Sequence, residues 1–127
     1  MKTQVQKGMR MRPAVLCGLM LGLLGACSVW PVNQDPAGME YRRQANLVIN
    51  ALQDYRRKTG TFPATLGMLA PTYLRDVPRL PDVRYSPTDG SLRYAYIPSW
   101  PQLRPVRCAS IGNTTEWHCA EHLDRPM

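Results

Sequence analysis

Residues 35–60 read DPAGMEYRRQANLVINALQDYRRKTG, and this stretch decides the fold class. Asp35 is a natural N-cap, and Pro36 suits the first helical position, where no amide donor is needed. From there Tyr41, Ala45, Val48, Leu52 and Tyr55 recur at steps of four, three, four and three, with Ile49 and Met39 widening the apolar stripe. Arg42, Arg43, Asn46, Asn50, Gln53, Asp54 and Arg57 fall on the opposite side. Gly60 supplies a left-handed stop. The pattern predicts an amphipathic helix of about six turns. Arg56, Arg57 and Lys58 then sit in its last turn, where cations complement the negative end of the helix dipole.

Downstream, Phe62, Leu66 and Leu69 fit a short helix bracketed by prolines, and Tyr73-Leu74 and Val77-Pro78 continue as an apolar loop. Pro78, Pro81 and Pro87 exclude regular helix there. Val83-Arg84-Tyr85 and residues 92–97 flank Ser86-Pro87-Thr88-Asp89-Gly90, a sequence built to turn, and alternation puts Leu92, Tyr94 and Tyr96 on one face. A second hairpin is expected from residues 106–110 and 115–119 around Gly112-Asn113, with Cys108 and Cys119 nearly opposite. A long helix, a proline-rich crossover and a small antiparallel sheet make an α+β domain, with the helix stripe packed across one sheet face.

Upstream lies the one long apolar run, residues 14–26, preceded by Lys2, Lys7, Arg10 and Arg12 and ending in Leu24-Gly25-Ala26-Cys27. Basic, apolar and small-residue regions in this order describe a secretory signal peptide, and the run is shorter than the roughly 20 residues of a spanning helix. The cysteine after Gly-Ala resembles the lipobox of bacterial lipoproteins. That resemblance implies a thioether-linked diacylglycerol on Cys27, cleavage before it, and acylation of the new amino terminus. Ser28, not aspartate, follows, which implies the periplasmic face of the outer membrane in such lipoproteins. The plainer alternative is an ordinary cleavage site beside a cysteine. The organisation expected is a signal peptide over residues 1–26, an anchor and short linker over 27–35, and one domain over 36–127. Residues 28–35, fully extended, reach about 25 Å. Trp30 is near enough to the anchor to rest at headgroup level, or to pack on the domain.

Loss of residues 1–26 also changes the charge. The whole chain carries 16 basic and 9 acidic residues, +7, but four of the basic ones precede Cys27, so the remainder stands at +3. No clustered basic stripe is left, and a nucleic-acid partner is not expected. Of four cysteines, Cys17 lies in the discarded run and Cys27 takes lipid, which leaves Cys108 and Cys119 as a disulfide pair in an oxidising compartment.

Residues 51–63, ALQDYRRKTGTFP, are similar to the end of the long helix in type II secretion pseudopilins and type IV pilins, which commonly read A-L-x-x-Y-x-x-x-x-G-x-Y/F-P. Residues 65–78, TLGMLAPTYLRDVP, resemble the leucines, Y-L and proline that precede the sheet in those proteins. The resemblance covers residues 45–98 and implies a pilin-like fold and a place near secretion or pilus machinery. The departures are equally informative. Pilins carry an apolar N-terminal helix with a glutamate after a prepilin-peptidase site, whereas here the apolar run ends at Cys27 and Pro31 and Pro36 break a continuous helix. Asp82 and Asp89 alone do not make the calcium loop of some pseudopilins, because calcium takes six to eight oxygens. A polymerising subunit is therefore not expected.

Reactive chemistry is sparse. In His118-Cys119-Ala120-Glu121-His122 the histidines would share a face if this end were helical, but zinc would compete with the disulfide for Cys119. Ser86, Ser91, Ser99 and Ser110 lack a nucleophile-elbow context, and neither paired carboxylates nor a phosphate loop stands out. No enzyme, metal or cofactor is expected. Tyr73, Tyr85, Tyr94, Tyr96, Trp100 and Trp117 form either a partner platform or core. Trp100, between Pro98 and Pro101, is the expected exposed anchor, and Tyr94 and Tyr96 are candidate partner-binding residues with it. The leading expectation is a non-catalytic lipoprotein acting by protein–protein contact, accessory to type II secretion or pilus assembly. The alternative is an envelope lipoprotein that binds a small molecule, glycan or peptidoglycan fragment.

Overall fold

The computed structural model describes residues 30–121. A single helix, α1 (Pro36–Thr59), is followed by a 3-10 turn over Leu66–Leu69. Four strands come next: β1 (Arg84–Tyr85), β2 (Leu92–Tyr96), β3 (Val106–Ser110) and β4 (Trp117–Glu121). They form one antiparallel sheet in the order β1-β2-β3-β4, so the domain is α+β, one helix on a four-stranded meander.

Both ends of α1 are set by the residues expected to set them. The Asp35 carboxylate accepts from the Gly38 amide at 3.2 Å, and Gly60, at φ 85°, donates its amide to the Arg56 carbonyl at 2.8 Å. The basic last turn has a second use. The Arg56 guanidinium lies 4.8 Å from the Phe62 ring centre and Lys58 Nζ lies 5.3 Å from that of Tyr73, so both cations fold back over the aromatics that follow the helix. The ion pairs Arg43–Glu40 and Arg57–Asp54 are solvent-exposed i,i+3 pairs and add little to stability.

The core lies between α1 and one sheet face. Ala45, Val48, Ile49 and Leu52 are fully buried against Leu92, Tyr94 and Tyr96 of β2 and Val106 and Cys108 of β3, with Leu69 closing the seam. Each buried aliphatic side chain of this size contributes about 1.5–3 kcal/mol. Cys108 and Cys119 face each other across β3 and β4 and form a disulfide, with Cα atoms 4.1 Å apart. With 11 residues of separation it contributes about 2–3 kcal/mol in the chain-entropy model.

Several expectations need correction. Met39 does not widen the stripe; it is exposed, because at 3.6 residues per turn it falls about 160° around the helix from Tyr41, and Gly38 holds the buried position in that turn. Val83 and Ile97 lie just outside their strands and are exposed. The last strand begins at Trp117, two residues later than expected. Gly112, at φ 58°, and the Thr114 hydroxyl donating to the Ile111 carbonyl hold a six-residue loop closed by Ile111 N–H to the Glu116 carbonyl, 2.9 Å. The polar side of α1 is not wholly a solvent face either. Asn46 Oδ1 accepts from Trp117 Nε1 at 2.7 Å, and Gln53 Nε2 donates to the Asn113 carbonyl at 2.9 Å, so the helix flank grips the β3–β4 hairpin.

Candidate functional site

Cys27, the apolar run before it and Ser28 lie outside the described residues, as does His122. What the structure does place is the segment that follows them. Residues 30–35 are not a free tether. Trp30 is bonded through its carbonyl to Gln102 Nε2 at 2.7 Å, Gln34 N–H closes a turn on the Pro31 carbonyl at 3.0 Å, and Asn33 and Asp35 are each 1 % exposed.

Asp35 holds this joint together. Besides capping α1 it accepts from the Tyr96 hydroxyl at 2.8 Å and from the Ser99 amide at 3.0 Å. Burial acts to raise its pKa, but the donors from the Ser99 amide, the Tyr96 hydroxyl, the Gly38 amide and the Ser99 hydroxyl together prevail and hold it below the ordinary 3.8. The Asn33 amide, oriented as its neighbours' donors and acceptors require, donates to the Gly38 carbonyl at 3.1 Å and to the Tyr96 hydroxyl at 3.2 Å. Its oxygen accepts from Arg42 Nε at 2.8 Å. Gly38 is part of the same joint, since a Cβ there would overlap the Tyr96 hydroxyl and lie 2.7 Å from Asp35 Oδ1 and 2.8 Å from the Asn33 side-chain amide. The start of the helix, the preceding linker and the end of β2 are thus one packed unit.

The proposed aromatic platform divides. Tyr94 and Tyr96 are 2 % and 3 % exposed, because both occupy the helix-facing register of β2; they are core residues and present nothing to a partner. Tyr94 stacks edge-on against Trp117 at 5.4 Å, and burial pushes its phenol up to about 12. Trp100, in the loop between β2 and β3, is 81 % exposed. Leu103 and Ile97 on the same loop are 66 % and 63 % exposed.

The remaining candidates resolve into structural roles. This end of the chain is strand, not helix, so His118 and Glu121 fall on opposite faces and Cys119 is committed to the disulfide. Among the described residues no group of three or more His, Cys, Asp or Glu could hold a metal. Asp89 accepts from the Ser91 amide at 3.0 Å and shapes the β1–β2 turn. The Ser110 hydroxyl accepts from the Leu92 amide at 2.9 Å and donates to the Gly112 carbonyl at 2.7 Å, so it serves the sheet. A shallow open depression lined by Gln53, Arg56, Arg57, Gly60 and Asn113 lies at the far end of the helix and has no enclosing wall. Among the described residues no helix is long and apolar enough to cross a membrane.

The buried joint around Asp35 was missed in the sequence because each of its residues has a plain local explanation. Asp35 reads as a cap, Asn33 as linker and Tyr96 as an alternating strand residue; only the meeting of β2's end with α1's start makes them one cluster. The chain matches no protein-family model, no curated protein and no solved structure.

Proposed function

We propose that this chain is a non-catalytic lipoprotein of the bacterial envelope, lipidated at Cys27, whose pilin- or pseudopilin-like domain acts by contact with other proteins. Its place would be the periplasmic face of the outer membrane, as an accessory to type II secretion or type IV pilus assembly. The observation that carries the anchor is Leu24-Gly25-Ala26-Cys27 closing a basic-then-apolar N-terminal run. Support for the domain reading comes from the order of its parts. A long helix ends at Gly60, Phe62-Pro63 turns the chain back, a leucine-bearing turn fills the seam, and an antiparallel meander follows. The glycan- or ligand-binding alternative loses Tyr94 and Tyr96, two of the six aromatics of its platform, to the core.

Crosslinking in intact cells, purification through a C-terminal tag and mass spectrometry of the captured proteins tests the reading, with Cys27→Ala as the anchor control. Secretin, pseudopilin or pilus components are expected to be enriched, and the enrichment should fall in the control. Recovery of only peptidoglycan-associated or unrelated envelope proteins would overturn the accessory role and leave the anchor standing.

A further inference from the structure

Exposed apolar side chains are unevenly spread over this domain. Of the ten large hydrophobic residues exposed among the described residues, six (Trp30, Val32, Met39, Ile97, Trp100 and Leu103) belong to the linker, the first turn of α1 or the β2–β3 loop. The other four are scattered singly over the rest of the surface. The linker and the loop are physically joined, by Gln102 to the Trp30 carbonyl and by the Ser99 amide to Asp35, so these side chains share one end of the domain. Arg104 belongs to the same loop, exposed and 3.8 Å from the Glu121 carboxylate, and Arg107 is the exposed second residue of β3.

We infer that this end is seated in the interfacial layer of the bilayer, with Trp100, Leu103 and Ile97 inserted at headgroup depth and Arg104 and Arg107 meeting lipid phosphates. The inference rests on the proposed lipidation of Cys27 and deepens it from tethering to a fixed docking of the domain. Chain length argues for lipid over a protein occupant. Trp30 is the third residue after Cys27, so even a fully extended backbone separates them by only about 10 Å. The polar layer on each side of the hydrocarbon is itself about 5–8 Å thick. Because Trp30 is bonded to the loop, an anchor at Cys27 carries Trp100 and Leu103 down with it and leaves little height for a folded partner beneath them. The composition suits that layer. Tryptophan is favoured at the membrane–water interface, aliphatic side chains bury their apolar surface there, and arginines gain from anionic headgroups.

The test uses the full chain purified from membranes and reconstituted into vesicles of phosphatidylcholine and phosphatidylglycerol. Iodide quenching of tryptophan fluorescence is compared between wild type and Trp100→Phe, so that the difference reports Trp100. The mass of the N-terminal fragment separately reports whether Cys27 carries lipid. In the vesicles, iodide access to Trp100 is expected to be about threefold or more below that of a tryptophan in a soluble peptide, with quenching by brominated acyl chains appearing in its place. If Cys27 is lipidated and Trp100 stays as accessible as in a soluble peptide, the docking fails while the anchor stands. If Cys27 is unmodified yet Trp100 is shielded by vesicles, the anchor reading fails and the membrane-seeking surface stands. Shielding in native envelopes but not in pure vesicles would assign the patch to a protein partner and overturn the inference.

Discussion

The two ends of the helix are fastened to the sheet by opposite chemistry. At its start, Asp35, Asn33 and Tyr96 form a buried polar joint in which the carboxylate accepts from the Gly38 amide, the Tyr96 hydroxyl and the Ser99 amide. At its finish the fastening is apolar and conformational. Phe62 lies under Arg56 and against Gly90, whose φ of 69° and missing Cβ let the ring approach. Polar joints in a dry setting are strongly directional and fail abruptly when one partner is lost, whereas apolar seams can repack. The same helix is therefore held in register at one end and sealed at the other.

Substitutions at the two ends should separate these behaviours. The largest effect is expected from Gly38→Ala. Within a helix that change ordinarily gains stability, but here the methyl displaces the Tyr96 hydroxyl and crowds the Asp35 carboxylate and the Asn33 amide around it. A loss of about 3–4 kcal/mol is expected in urea unfolding; a gain would mean that the joint is not packed as described. Gly90→Ala follows, with a Cβ 2.5 Å from Phe62 Cε1 and a left-handed backbone to strain. About 2–3 kcal/mol should be lost, partly recovered by Phe62→Leu in the same chain if the seam can repack.

The acid response should distinguish the ends by its pH dependence. The Asp35 pKa is depressed in the folded state, so its contribution is complete above the unfolded value of 3.8 and is lost as pH falls through the lower folded value. Unfolding curves of wild type and Asp35→Asn should therefore converge as pH drops below about 4, while Gly90→Ala should keep a constant offset from wild type. Convergence in both would show that the acid sensitivity is not local to this carboxylate.

The smallest effects fall on two neighbouring tyrosines of β2. Tyr96→Phe removes a hydroxyl that donates to Asp35 and should cost about 1–2 kcal/mol. Tyr94→Phe removes one that is buried with no hydrogen-bond partner, and thermal unfolding should be unchanged or slightly later. Equal costs at both positions would put an unseen partner on Tyr94.

What the sequence reveals about this domain is what depends on near neighbours along the chain. Asp35-Pro36 and Gly60 bound the helix because caps act within a turn, and alternation at Leu92, Tyr94 and Tyr96 marks the buried strand face because the pleat has a period of two. The Cys108–Cys119 pairing follows from a hairpin with an extended turn. The illegible parts depend on where elements end in space. Asn33 looks like linker because its partners Gly38, Tyr96 and Arg42 converge only when α1 lies along β2. Of the candidate site residues, the exposed Trp100 was readable from the prolines around it, and the disulfide from cysteine arithmetic. The assignment of Tyr94 and Tyr96 to the core needed the sheet's orientation.

The strand order carries a consequence for how the molecule assembles. Since β1-β2-β3-β4 follows the chain, every strand finds its partner across a turn or a short loop, and such contacts form early. The ties from Asp35 to Tyr96 and Ser99 span 61 and 64 residues. Closing so long a loop becomes favourable only after the helix and sheet already face each other. The first residues of the domain to be delivered are then the last to find their place. In refolding followed by pulsed hydrogen exchange, the Ser99 amide should gain protection after the amides of β3, and earlier protection would reverse that order.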